Sequence, residues 1–393
     1  INGGHYGLVT GDPKNNIYQL LFYKIIKYNN MSKAEKTNGV ARLIHEGEEE
    51  SCQAQEDIWE CIFGFTEIAV AKCAIELGIP DFLETHQEPV TLKQLSSALG
   101  CSAPSLYRIM RFLIKRGIFK EVSTGHDEIM GYVQTPVSRL LTRNGEYSMA
   151  SLVLLESSPA MLAPWHYLSR CILAKENTAT FSAAHGKDLW EYARTHPEHS
   201  KLINDALACH ARVTMRTIID NCVEIFEGIE SLVDVGGGNG TTLGMLVKSF
   251  PWIKGINFDL PHVVSVAPHC HGVLHVEGDM FHSVPNAHAA FFMSVLHDWG
   301  DEECIQILKN CLKVIPKDTG KVIIVEAVLE EKISKGKSLK DVGFMLDMIM
   351  MAHTTNGKER TAKEWLHILT AAGFSRHSIV QIPAIESVIL AYT

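Results

Sequence analysis

The sequence predicts an α/β protein with a helical N-terminal half and a parallel sheet wound with helices in its C-terminal half. Three observations carry that expectation. At 393 residues the chain exceeds what one hydrophobic core usually organises, so two domains are expected. From residue 56 onward the apolar residues recur at helical spacing. From about residue 228 the pattern changes to short β-branched runs, "SLVDVGG", "KGINFDL", "GVLHVEGDM", "AAFFMSVL" and "KVIIVEAVL", alternating with helix-length segments.

Composition narrows the class. A chain with 46% hydrophobic and 21% charged residues is ordinarily globular. Its net charge of -9 gives no general pull toward nucleic acid or anionic membrane. No apolar run approaches the roughly 20 residues of a spanning helix. The early stretch "IYQLLFYKIIKYNN" is interrupted by lysines and lacks a small-residue cleavage site, so no secretory leader is expected. Ten cysteines lie without a CxxC pair, which reads as reduced thiols and a cytoplasmic protein.

Residues 1–50 are polar and aperiodic and are expected to be poorly ordered, with Met31 standing where an ordinary start would. Residues 51–150 are expected to form a helical module. "EDIWECIFGFTEIAVAKCAIELGIPDFL" is a helical stretch closed by Gly78 and Pro80. Two short helices follow, with Thr91 and Ser102 as N-caps and Gly117 as a stop, and then a strand-like "GYVQTPVSRLL". Helix, turn, helix and β-wing is a winged-helix order. Its second helix carries Arg108, Arg111, Lys115 and Arg116, so DNA contact has to be weighed against a dimerisation module with solvated basic residues. The segment is short, partly apolar and without a basic arm, which favours dimerisation. Residues 151–225 read as linking helices, and residues 226–393 as the sheet domain.

In an open α/β sheet, ligands bind at the carboxyl ends of the strands. The first strand ends "LVDVGGGNG", with Asp234 and then Gly236, Gly237, Gly238 and Gly240. A dinucleotide fingerprint would need a glycine at 241, which is threonine. The second strand ends at Asp259, placed to accept ribose hydroxyls. The third presents Asp279 to a base nitrogen and Met280 as an apolar cover for a flat ring. The fourth, "FFMSVLHDWG", ends at His297-Asp298. An acidic rim suits the sulfonium and ammonium of S-adenosylmethionine better than the phosphates of a nicotinamide dinucleotide. A plain strand–helix turn is the bland alternative for the glycine loop, and a helix-capping histidine is the bland alternative for His297.

Taken together, "LVDVGGGNG", "GINFDLPHVV", "VEGDMF", "VLHDWGDEECIQILKNC" and "GKERTAKEW" resemble the successive signatures of the plant-type small-molecule O-methyltransferases over about residues 51–393. The resemblance implies a Rossmann-like methyltransferase domain, an N-terminal winged-helix dimerisation domain, a homodimer, S-adenosylmethionine as cofactor and a small phenolic acceptor. It also implies that His297 is the general base flanked by Glu326 and Glu359, and that Gly236, Asp259, Asp279 and Met280 bind the cofactor. Where the family often carries a lysine that contacts the cofactor, this chain has Met293, an apolar replacement.

A neutral phenol, with a pKa near 10, is a poor nucleophile. A neutral imidazole can take its proton at ordinary pH, which gives His297 its expected task. Asp298 is expected to orient substrate or loop. Trp165 and His210 in the linking helices, and Leu346 and Met350 in "FMLDMIMMAH", are candidates for the acceptor pocket, with satisfied core positions as the alternative. "PHCH" at 268–271 has no second ligand pair at metal-finger spacing, and no metal is expected. The rivals are an N-methyltransferase of the same fold and a winged-helix regulator that senses a metabolite.

Overall fold

The computed structural model describes residues 39–125, 129–174, 179–331 and 338–393, without side chains for 39–50. The chain divides into two units, 1–66 and 67–393. In the first, one helix runs Gly39–Phe63. The helix takes in residues 39–50 of the stretch expected to be poorly ordered, while residues 1–38 lie outside the described residues. The reason is propensity: Ala41, Arg42, Leu43 and Glu48–Glu50 are good helix formers even where no apolar stripe advertises them. Trp59 stacks on Phe63 at 5.5 Å, and both are about half exposed together with Ile58 and Ile62.

The second unit opens with a helix-rich module. Helices Leu92–Leu99 and Ala103–Lys115 follow the short strand β1 (Val90–Thr91), and a hairpin of β2 (Phe119–Ser123) and β3 (Met130–Gln134) completes a three-stranded sheet of order β1-β3-β2. Thr91 caps its helix with a capping box to Gln94. Ser102 takes the N-cap position without a side-chain bond, and Gly117 turns the chain with a left-handed φ of 73°. Leu95, Leu106, Met110 and Leu113 are buried against Ile75 and Ile79. Arg108, Arg111 and Lys115 face solvent, and Arg116 pairs with Glu67.

The five strands expected from sequence are β4 (Ser231–Val235), β5 (Lys254–Asp259), β6 (Val273–Glu277), β7 (Ala289–Met293) and β8 (Lys321–Leu329). They pair in parallel in the order β8-β7-β4-β5-β6. A two-residue β9 (Arg360–Thr361) adds to β8, and β10 (Arg376–Gln381) with β11 (Glu386–Tyr392) closes the far edge as an antiparallel hairpin that sequence reading had not separated. Chain order reverses between β4 and β7, which is where open sheets of this kind part at their carboxyl ends to admit a ligand.

Both faces of the sheet are covered. Helices Asp301–Val314 and Ala362–Ala372 bury Cys304, Leu308, Trp365 and Ile368 on one side. Helix Thr241–Ser249 and the end of Pro197–Asn221 bury Leu243, Leu246, Met215 and Ile218 on the other. Phe291 and Phe292, on opposite faces of β7, are fully buried, each contributing about 1.5–3 kcal/mol. The linking helices reach over the sheet's carboxyl edge and are tied down by long-range bonds. Thr180 Oγ1 donates to the Met351 carbonyl at 2.7 Å and His353 Nε2 to the Met161 carbonyl at 3.0 Å. Among the described residues no helix is long and apolar enough to cross a membrane.

Candidate active site

The end of β4 turns into the helix at Thr241 through four glycines. Gly236, Gly238 and Gly240 have φ of 72°, 57° and 82°, a region that penalises any side chain. A Cβ on Gly236 would stand 2.9 Å from Val295 Cγ2, so the loop is also packed too closely for alanine. The Gly238 amide donates to Asp259 Oδ2 at 2.8 Å, and the Leu260 amide to Asp259 Oδ1 at 2.6 Å. Burial pushes the Asp259 carboxyl up, while these two amides and His262 oppose it. Asp279 caps its own turn: Oδ1 accepts from the Phe281 amide at 2.8 Å and Oδ2 faces His282 Nδ1 at 2.9 Å. Asn310 Nδ2 holds the same turn through the Met280 and Phe281 carbonyls.

These groups border a cavity of about 550 Å³ that Gly236, Gly238, Asp259, Asp279, Met280, Ser294 and Asp298 line from the sheet. Phe281 and Trp299, edge to face at 4.7 Å, form an aromatic corner of it. Leu189, Trp190 and Leu207 close it from the linking helices, and His353, Thr354 and Asn356 from the segment after β8. A glycine cradle in which side chains would be strained or crowded, beside two carboxylates with spare acceptor capacity and an apolar cover, fits a flat adenosine joined to a cation. No lysine or arginine lines it to meet a pyrophosphate. The smaller pocket beneath the loop is lined by His210, Asp234, Thr241, Thr242 and Met293. Met293 keeps company with Thr242, whose hydroxyl points at Sδ from 3.9 Å.

Beyond β7 the chain kinks. Ser294 has φ 53°, the one positive value on a non-glycine among the described residues, a strain of the kind that gathers at functional sites. His297 follows in a short 3₁₀ turn, 9% exposed. Its Nδ1 lies 2.7 Å from Glu359 Oε1 and 3.4 Å from Glu326 Oε2, so both carboxylates stand on the Nδ1 side rather than on either side of the ring. Glu326 Oε1 accepts from the Val295 and Leu296 amides at 3.0 and 2.9 Å. Nε2 faces Asp298 Oδ1 at 3.8 Å. Burial disfavours the imidazolium, but Glu326, Glu359 and Asp298 outweigh it and hold the His297 pKa well above 6.5. Burial pushes Glu326 up to about 7 and Asp298 to about 6. One nitrogen and two carboxylate oxygens of this trio all lie within 4.8 Å of one another, close enough to hold a metal ion as well.

The remaining sequence candidates are distributed as follows. Gly236, Asp259, Asp279, Met280 and Asp298 share the main cavity, while Met293 and His210 line the smaller pocket. His210 Nε2 lies 2.5 Å from Glu386 Oε1, with Thr214 Oγ1 on the other oxygen at 3.0 Å, a second histidine–glutamate pair whose glutamate is buried. Trp165, Leu346 and Met350 line neither space. Trp165 stands edge-on to His353 at 5.9 Å, and Met350 is core, 8% exposed. Ser294, His353, Trp190 and Asn356 were missed. Only the position of Ser294 after an apolar strand could have marked it; the others are brought in by folding.

Residues 59–144 match the O-methyltransferase dimerisation domain and residues 165–375 the O-methyltransferase domain. The chain is 50% identical over 357 residues to acetylserotonin O-methyltransferase of Arabidopsis thaliana, covering 88% of this chain and 94% of that one. It is 41% identical to (R,S)-reticuline 7-O-methyltransferase of Papaver somniferum, covering 88% and 98%. The fold is shared with human N-acetylserotonin methyltransferase, solved in complex with SAM, at a TM-score of 0.76 and 22% identity over 87% of this chain and 98% of that one. Two domain matches in the right order, and relatives of this identity along most of the chain, settle the family. The chain belongs to the S-adenosylmethionine-dependent O-methyltransferases.

Proposed function

We propose that the protein methylates a phenolic hydroxyl of a small aromatic metabolite, with His297 as the general base. The observation that carries this is the 2.7 Å bond between His297 Nδ1 and Glu359. It commits the Nδ1 proton to a carboxylate and leaves Nε2 as the acceptor. S-adenosylmethionine supplies an electrophilic methyl group; Asp259 and Asp279 would hold its adenosine and the glycine loop its amino-acid end. The base receives the phenolic proton at Nε2, and Glu326 and Glu359 stabilise the imidazolium that results. General-base catalysis contributes about 10²–10⁴-fold, and the rest of the acceleration comes from holding acceptor and donor in near-attack geometry. A cation in the neighbouring cavity favours proton loss from His297, opposing the carboxylates that raise its pKa.

Asp298 would orient the acceptor at the cavity wall. His210 would contact the amino-acid end of the cofactor from the smaller pocket. The division into a dimerisation module at 51–150, linking helices at 151–225 and a methyltransferase domain at 226–393 is part of the same reading, as are a cytoplasmic location and independence from metal. The exposed Ile58, Trp59, Ile62 and Phe63 lie on a helix that the dimerisation match includes from residue 59, which supports a homodimer.

The test is mass-spectrometric detection of methyl transfer from S-adenosylmethionine to a pool of phenylpropanoids, flavonoids, hydroxyindoles and benzylisoquinolines, using wild type and His297→Ala. Product from wild type, reduced at least about a hundredfold in the variant, supports the reading. Equal product from both overturns the base and favours an acceptor nitrogen that needs none.

A further inference from the structure

Beneath the glycine loop two oxygens lack partners. Asp234 Oδ2 and Asn257 Oδ1 are both buried without a hydrogen bond, and both lie under 3.0 Å from where a Gly237 Cβ would sit. Carboxylate and carboxamide oxygens only accept, so placed together with no proton between them they repel. Turning the Asn257 amide over offers no relief. Its Nδ2 already donates to the Gly238 carbonyl at 3.0 Å, and reversal would set two acceptors against each other there. His275 agrees with that orientation. Its Nε2 meets the Pro268 carbonyl at 3.1 Å and therefore carries a proton, leaving Nδ1 to accept from Asn257 Nδ2 at 3.1 Å.

We infer that Asp234 is a protonated positioning residue whose Oδ2–H donates to Asn257 Oδ1, locking the loop that carries Gly238 against Asp259. Each atom of the chain then has a partner, from the Pro268 carbonyl through His275 and Asn257 to Asp234. The cofactor pocket presents one carboxylate fewer than the acidic rim in the sequence suggests, since the first of its four strand-end groups is withdrawn as a neutral acid. Burial, and then the charge of Asp259, push the Asp234 carboxyl up to about 8. The other titratable groups around it are His275, reached through Asn257, and His210 across the smaller pocket.

The inference rests on the loop holding S-adenosylmethionine, so its test has one arm that needs no cofactor. A carboxyl whose folded pKa lies above its unfolded one binds the extra proton only when folded, so stability falls as pH rises from about 4 to about 8. Asp234→Asn keeps a donor and has no proton to lose. Its Tm should gain on wild type by about 2–4 °C between pH 6 and pH 9. In calorimetric titration with S-adenosylmethionine at pH 7, Asp234→Ala should bind at least about tenfold more weakly than wild type, and Asp234→Asn should recover most of that loss. Parallel Tm profiles, an asparagine variant as weak as the alanine variant, or one that does not fold, would overturn the inference. Wild type that fails to bind the cofactor would instead sink the functional reading and leave the Tm arm to decide the proton.

Discussion

Arg360, fully buried, closes on Asp301 with Nε at 3.0 Å and Nη2 at 2.9 Å from the same carboxylate oxygen. Its remaining donors reach the Leu296 carbonyl at 3.1 Å and the Trp299 carbonyl at 2.7 Å, one residue before His297 and two after it. One guanidinium therefore staples the 3₁₀ turn of His297 to the start of the next helix. Asp301→Ala would strand that charge, and urea denaturation should show a loss of about 3 kcal/mol or more. A loss within the scatter of surface substitutions would mean that water replaces the carboxylate.

The proposed role of His297 makes the pH profile of the reaction depend on the carboxylates beside it. As the proposed base, His297 would work when unprotonated, and its pKa is held well above 6.5. The rate should therefore rise with pH through that raised value. Glu359→Gln removes one raising charge and keeps the hydrogen-bond geometry. Its rise in kcat/KM should move about one pH unit lower or more. An unmoved profile would show that the ionisation seen in the rate is not that of His297.

The same trio poses a question about metal. Glu326 Oε1 is taken by two backbone amides and Glu359 Oε1 by His297, while Glu359 Oε2 is buried without a partner. Exhaustive dialysis against a chelator should leave kcat unchanged, with elemental analysis finding less than stoichiometric metal. Activity lost on chelation and restored by a divalent ion would turn His297 from base into ligand.

Ser294 stores strain where β7 meets the cavity. Ser294→Val, a branched side chain at a positive φ, should destabilise by about 1–3 kcal/mol, and Ser294→Gly should be at least as stable as wild type. Thermal unfolding of the two variants side by side checks this. A tolerated valine would mean that the backbone relaxes freely at this corner.

The strand ends were legible in the sequence because each is a short apolar run punctuated by one charged residue, as at Asp259 and His297. The pairing of Glu326 and Glu359 with His297 was expected from resemblance alone: they lie 29 and 62 residues beyond it, and no periodicity announces that β8 and the start of β9 return to it. The Arg360–Asp301 staple spans 59 residues and is invisible for the same reason. The methionine-rich helix Val342–His353 was left between pocket and core because composition cannot say which way a helix is turned. It sends Met350 into the core, half-exposes Met351 and brings His353 to the cavity. Helix Gly39–Phe63 was read from residue 56 onward, and its earlier part was hidden by its polarity.

The parallel register of the sheet has one more consequence. Neighbouring strands are spaced about 4.8 Å apart by their backbone hydrogen bonds, whatever side chains they carry. Val235 pairs with Phe258 and Asp259 with Glu277, so the stations holding His297, the glycine loop, Asp259 and Asp279 are set out along the carboxyl edge like marks on a ruler. Side-chain replacement at one mark leaves the spacing of the others untouched. The acceptor end of such a molecule is thus free to change its chemistry while the donor end keeps its measure.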